Sequence, residues 1–251
     1  MKPCAFAGQT LLSHSLGSLN EARGVFDEAY FKVVKRRMDF MASKLQSDLD
    51  REFLLGLRWE DWRELTHFLV AFHDVGKAAE YYQEQFHDWC EPRKGGRSSF
   101  FLHEIGSAVF LYKNQWRNEV VKMLAVLAVL NHLNAMRGLH VPQLVESVKQ
   151  GMLRLRKYAE GLLKELPKFN LDAFLEGDLT LADYPLGDAK DMMSWLSKLS
   201  NQRGIVKGYT LLLLPVIVGD NLDSSEGREL DHDFHRKRRF SDSLRVLRCE
   251  G

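Results

Sequence analysis

Ala71-Phe72-His73-Asp74-Val75-Gly76-Lys77 closes a run, Trp59-Glu60-Asp61-Trp62-Arg63-Glu64-Leu65-Thr66-His67-Phe68-Leu69-Val70, in which Trp62, Leu65, Leu69 and Phe72 recur at helical spacing. The pattern predicts an amphipathic helix whose apolar face ends where His73 and Asp74 arrive. Gly76 is then expected to permit a sharp change of direction, with a second helical segment from Lys77 to about Trp89. An imidazole and a carboxylate side by side at a helix end can bind one divalent cation, provided other segments bring further ligands.

Upstream, Leu11-Leu12-Ser13-His14-Ser15-Leu16-Gly17-Ser18 suits a loop or helix entrance with His14 exposed at its mouth. A long helical pattern follows from about Glu21 to Leu49. Downstream, Glu91-Pro92-Arg93-Lys94-Gly95-Gly96-Arg97-Ser98-Ser99 is a break with Pro and Gly punctuation and candidate N-cap serines. A helix is expected from near Phe101, carrying His103 and the small residues Gly106, Ser107 and Ala108. Glu119–Leu133 reads as an apolar helix containing Asn131-His132. Pro142 opens a helical pattern running from Val145 to Leu166, and 168–203 divides into short pieces at Gly177, Pro185 and Gly187. From Ile205 to about Leu222 the sequence is apolar all round, as in a buried helix. Pro215 predicts a kink in it, and Asp220 lies one turn beyond. Sustained apolar/polar alternation and Asn-Gly or Asp-Gly turns are missing. The fold class is therefore all-α, a helical bundle over residues 1–227 with a charged tail at 228–251.

Bulk properties narrow the function. The 251 residues are 45% hydrophobic and 27% charged, as in ordinary globular proteins. A formal charge of +1 excludes bulk attraction to nucleic acid. Contacts to such a substrate would come from local patches: Arg93, Lys94 and Arg97, or the Arg236-Lys237-Arg238-Arg239 cluster. Tyr81, Tyr82 and Phe86 sit at spacing that suits core packing better than base stacking. The apolar runs Val120–Leu130 and Leu211–Val218 are too short to span a bilayer. Cys4, Cys90 and Cys249 are odd in number and far apart, which points to a reducing cytoplasm rather than a disulfide framework.

Each polar candidate has an ordinary reading on its own: a hydrogen-bonded histidine, a capping aspartate, a solvated Lys77. Collected, His14, His73-Asp74, His103, His132 and Asp220 come from different segments at helix ends or beside small residues. Helical bundles build metal sites from such positions. The ordered set resembles the HD-superfamily metal-dependent phosphohydrolases. Three features resemble one branch, the CRISPR-associated HD nucleases: His73-Asp74-x-Gly76-Lys77, then Leu102-His103-Glu104 with Ser107-Ala108, and finally Asp220-Asn221-Leu222-Asp223-Ser224.

That resemblance implies an HD-domain bundle with a metal site at converging helix ends. It implies one ion held by His14, His73, Asp74 and Asp220, and a second held by Asp74, His103 and His132. Asp74 would be catalytic through this bridging place, and Lys77 would meet phosphate or developing negative charge. Members often have two consecutive histidines where this chain has Asn131-His132, which would weaken the second site. Imidazole-rich ligation favours Mn, Fe, Co or Ni over Mg. The implied substrate is single-stranded DNA, and RNA is a further candidate. The implied partners are a CRISPR surveillance complex and a superfamily 2 helicase on a separate polypeptide, because these residues contain no phosphate-loop motif. Two other readings use the same residues: a phosphohydrolase of nucleotides or cyclic nucleotides, and an assembly subunit with little activity.

Overall fold

The computed structural model describes residues 2–93, 99–133, 146–199 and 203–225. The expected all-α bundle is present. A short antiparallel hairpin, β1 (Cys4–Phe6) and β2 (Gln9–Thr10), precedes it. These strands are too short for alternation to be visible in sequence. Their turn is Ala7-Gly8, with Gly8 in the left-handed region at φ +76°.

Five helices come before the central break: α1 (Leu11–Val25), α2 (Glu28–Ala42), α3 (Asp48–Gly56), α4 (Trp59–Phe72) and the single turn α5 (Glu80–Gln83). The expected helix from Glu21 to Leu49 is thus broken twice, and capping side chains set both breaks. Asp27 accepts from the Tyr30 N–H at 3.1 Å, and Ser47 accepts from the Asp50 N–H at 3.3 Å. The predicted face of α4 is correct: Trp62, Leu65, Leu69 and Phe72 are all buried. Beyond it, the expected helix from Lys77 to Trp89 is replaced by a 3-10 turn (Val75–Ala78), α5 and a second 3-10 turn (Asp88–Cys90). Tyr82 and Phe86 are buried as read, whereas Tyr81 reaches the surface.

Helices α6 (His103–Lys113) and α7 (Glu119–Leu130) follow, then helices at Arg156–Glu165, Leu186–Leu199, Arg203–Val206 and Tyr209–Ser225. The expected Val145–Leu166 helix is shorter, and the irregular 168–203 stretch contains a full helix at Leu186–Leu199. Residues 134–145 and the 228–251 tail, including the Arg236–Arg239 cluster, lie outside the described residues, as do Lys94 and Arg97.

Glycine governs how the helices meet. An added Cβ at Gly76 would lie 2.0 Å from the His103 carbonyl oxygen, and one at Gly106 would lie 3.2 Å from Gly76 Cα. Gly76 is therefore required for close approach to α6 and not for an unusual φ. At the other side, a Cβ on Gly219 would lie 2.4 Å from the Ser18 carbonyl oxygen, so α1 and the Tyr209–Ser225 helix cross nearly backbone to backbone. Pro215 lies inside that helix and cannot donate to Leu211 four residues back. The Tyr30 hydroxyl of α2 donates to the Leu211 oxygen instead, at 2.6 Å.

The cysteine reading is overturned. Cys4 and Cys90 form a disulfide, with Cα atoms 5.5 Å apart and a separation of 86 positions in sequence. The two lie on elements that already touch, since the Gly8 N–H donates to the Cys90 oxygen at 3.1 Å. The pair removes the cysteine argument for a reducing compartment. The window Gly204–Ser224, which takes in most of the last two helices, is long and apolar enough to cross a membrane by length and composition, and 56% of it is buried in the fold. The helix Tyr209–Ser225 packs as the buried helix expected. Its buried residues Leu212, Val216, Val218 and Leu222 join the core shared by α1, α4 and α7.

Candidate metal centre

All six residues singled out as ligands converge. His14 lies on α1, His73 follows α4, Asp74 opens the 75–78 turn, His103 begins α6, His132 follows α7, and Asp220 lies in the last helix. All six are buried, so the expectation of an exposed His14 is corrected. The hairpin covers it, with the Phe6 ring 5.1 Å from the His14 ring. Two groups of side chains have ligand atoms close enough to hold a metal ion, within 4.8 Å of one another: His14, His73, Asp74 and Asp220, and Asp74, His103 and His132.

Asp74 belongs to both groups and offers one oxygen to each. Its Oδ2 is 2.9 Å from His14 Nε2 and 3.4 Å from His73 Nε2. Its Oδ1 is 2.6 Å from His103 Nε2 and 3.4 Å from His132 Nε2. Asp220 Oδ1 completes the first group, 3.4 Å from His14 Nε2 and 3.9 Å from His73 Nε2.

Local backbone sets the direction of three rings. His73 Nδ1 lies 2.7 Å from the Val70 oxygen, His103 Nδ1 2.6 Å from the Phe100 oxygen, and His132 Nδ1 2.6 Å from the Val129 oxygen. A carbonyl only accepts, so each Nδ1 carries a proton and each Nε2 is turned toward Asp74. For His73 and His132 the helix end supplies this device without a second side chain, because the last carbonyls of a helix lack the N–H four residues on; for His103 the Phe100 carbonyl just before α6 does the same.

The arrangement fits a cation. The buried Nε2 atoms of His73 and His132 make no hydrogen bond, and Asp74 and Asp220 place carboxylate oxygens beside them. Imidazole lone pairs and carboxylate oxygens gathered in a buried space repel, and a divalent ion relieves this. The mixed imidazole and carboxylate set suits a borderline transition metal.

The electrostatics agree. Burial pushes the His14 pKa down, but hydrogen bonds to Asp220, Asp223 and Asp74 outweigh it and raise it to about 10. Burial also works to raise the Asp74 pKa, yet His73, Lys77 and His103 hold it well below the usual carboxylate range. Burial lowers the His103 pKa, whereas at His132 the Asp74 carboxylate overcomes burial and raises it.

Lys77 is not the solvated residue of its ordinary reading. It is buried, with Nζ 2.6 Å from Asp74 Oδ2 and 3.8 Å from the centre of the Phe6 ring. Asn131 donates its amide to the Leu127 oxygen at 2.8 Å, a bond within its own helix. Arg93 donates through Nε to the Phe86 oxygen at 2.7 Å. One residue close to the centre had no separate role in the sequence reading: Asp223, whose Oδ2 is 2.6 Å from His14 Nδ1. Its signal was Gly17. A Cβ there would lie 1.7 Å from Asp223 Oδ1, so glycine makes the room for that carboxylate.

The Cas3 HD-domain family model matches residues 7–148. The chain is similar to the CRISPR-associated endonuclease Cas3-HD of Saccharolobus solfataricus, 36% identical over 233 residues, or 90% of this chain and 89% of that one. A protein of the same description from Pyrococcus furiosus is 27% identical over 158 residues, 60% of this chain and 59% of that one. The structure of the CRISPR-associated Cas3 HD domain protein of Methanocaldococcus jannaschii aligns with a TM-score of 0.44 and 20% identity, covering 86% of this chain and 99% of that one.

Proposed function

The chain belongs to the Cas3 HD-domain family, and on that premise we propose that it is a metal-dependent nuclease that hydrolyses phosphodiester bonds of single-stranded DNA in CRISPR interference. The observation that supports this best is Asp74, with one oxygen directed at each of two buried donor groups. Two such groups with a shared carboxylate suit a two-ion phosphodiester hydrolase.

Bound divalent ions would supply an activated water and neutralise charge on the phosphate oxygens. His14, His73, Asp74 and Asp220 would hold one ion, and Asp74, His103 and His132 the other. The three backbone-bonded rings keep their Nε2 lone pairs aimed inward and cost no reorganisation on binding. Lys77 holds a positive charge against Asp74 and against the Phe6 ring, where it can meet a phosphate oxygen as the strand enters. Phe6 and Phe100, whose ring centres lie 3.8 and 5.2 Å from Lys77 Nζ, keep bulk water away from that charge.

Mn, Co, Ni or Fe would support cleavage better than Mg, whose preference is for oxygen ligands and its own waters. We assign residues 1–227 to the nuclease domain and 228–251 to a charged tail. The partners we infer are a separate superfamily 2 helicase, which would present the strand, and the CRISPR surveillance complex.

The test is cleavage of end-labelled single-stranded DNA with EDTA, Mg, Mn, Co or Ni, beside Asp74→Ala. Removing a side chain that touches a ligand typically costs about 10–100-fold, so losing a carboxylate shared by both groups should cost more than about 100-fold. Cutting by a folded Asp74→Ala variant at the parent rate, or full activity with Mg alone, would sink the assignment.

A further inference from the structure

His14 differs from the other three histidines in how its ring is held. They lean on the backbone carbonyl three residues back, at the ends of α4 and α7 and just before the start of α6, but His14 lies inside the first turn of α1, where the free backbone groups are N–H donors. No carbonyl of its own helix end is there to take its Nδ1 proton. Asp223 takes that place from a different element: its Oδ2 accepts from His14 Nδ1 at 2.6 Å and from Gln9 Nε2 at 3.1 Å. An ionised carboxylate only accepts, so the contact puts a proton on Nδ1 and turns Nε2 toward Asp74 and Asp220.

Three further features serve this contact. Gly17 leaves the space that Asp223 Oδ1 fills. Gly219 lets the last helix approach Ser18 on α1. Ser224 beside it donates to Asp220 Oδ1 at 3.0 Å. One helical turn, Asp220 to Ser224, thereby both contributes a donor and orients another.

We propose that Asp223 is the positioning residue of the His14 donor, and that the Gln9–Asp223–His14 chain sets how tightly the group of His14, His73, Asp74 and Asp220 keeps its ion. This rests on the reading of His14 as a ligand. Carboxylates that hold a ligand imidazole typically contribute about 10–100-fold in metal affinity.

The experiment titrates the metal-free chain with Co(II), followed by its visible absorption and by calorimetry, for the parent, Asp223→Ala, Asp223→Asn, Gln9→Ala and His14→Ala. Melting in EDTA provides the measure of fold. Asp223→Ala should weaken the site of His14, His73, Asp74 and Asp220 about 10–100-fold and leave the site of Asp74, His103 and His132 unchanged. Asp223→Asn keeps an acceptor without its charge and should fall between Asp223→Ala and the parent. Gln9→Ala should lose only a few-fold. A folded Asp223→Asn variant with parent affinity overturns the proposal, even if Asp223→Ala fails to fold. Unchanged affinity in His14→Ala overturns the ligand reading beneath it, and with it the proposal. Weakening in His14→Ala without weakening in either Asp223 variant overturns the positioning role alone.

Discussion

The two donor groups differ in how far the chain travels to build them. His103 and His132 come from the facing ends of α6 and α7, two helices joined by a short connection, and each ring is locked by its own backbone. The group around His14 draws on α1, the end of α4 and the last helix, and depends on two close helix approaches and a carboxylate from Asp223. It also has more charge, with two carboxylates against the single shared Asp74 of its neighbour. A divalent ion is therefore expected to bind first and tighter around His14. The group of Asp74, His103 and His132 is easier to assemble but weaker as a cage.

The sharpest way to break this comparison is to delete one imidazole from each side. His14→Ala should lower the affinity of the tighter ion by more than about 100-fold and abolish cleavage. His132→Ala should leave that ion bound, reduce the bound metal from two equivalents toward one, and slow cleavage without removing the first site. Metal content after gel filtration, set against turnover, checks both. Loss of both ions in His132→Ala would mean that the two groups do not fill independently.

Stability gives the next largest effect. Gly76→Ala places a Cβ 2.0 Å from the His103 oxygen, which is backbone, whereas Gly17→Ala meets the Asp223 carboxylate, which is a side chain. The first has little room to relax and should cost about 3 kcal/mol or more, the upper end for overpacking. The second should cost about 1 kcal/mol while displacing Asp223. Denaturant melts in EDTA measure the order, and the reverse order would contradict this view of the two crossings.

The smallest effect is in pH. With its pKa raised to about 10, metal-free His14 is protonated at neutral pH and must release that proton to bind an ion. Metal affinity at the tighter group should rise as pH goes from 6 to 9, by up to about tenfold per unit. Stability of the metal-free chain should move the other way. A raised folded pKa gives stabilisation that is full below the ordinary histidine value of 6.5 and is lost as pH rises toward about 10. Calorimetry in buffers of different ionisation enthalpy, with melts in EDTA, separates the two.

Much of this was legible in the residues. The apolar face of α4 predicted its own burial, and the small residues of α6 predicted a close neighbour. Histidines and aspartates at helix ends in separate segments, with the resemblance to the HD superfamily, picked out the six residues that converge. What escaped notice was short or relational. Asp27 and Ser47 interrupt what looks like one long helical pattern, since apolar periodicity persists across a cap. A hairpin of five strand residues is too brief for alternation to register. Asp223 looks like a helix residue after Asp220 until Gly17, more than two hundred positions away, is placed opposite it. Lys77 and His14 look exposed by residue type, because no local pattern reports that a hairpin folds over them.

The Cys4–Cys90 bridge matters most to the chain before it folds. It closes a loop spanning 86 positions, which removes about 4–5 kcal/mol of configurational freedom from the unfolded ensemble on the chain-entropy model. That loop contains His14, His73, Asp74 and Lys77, and leaves out His103, His132 and Asp220. An oxidised, unfolded chain thus already confines the segments that bring His14 to Asp74, while the donors from α6, α7 and the last helix must still be found by open search.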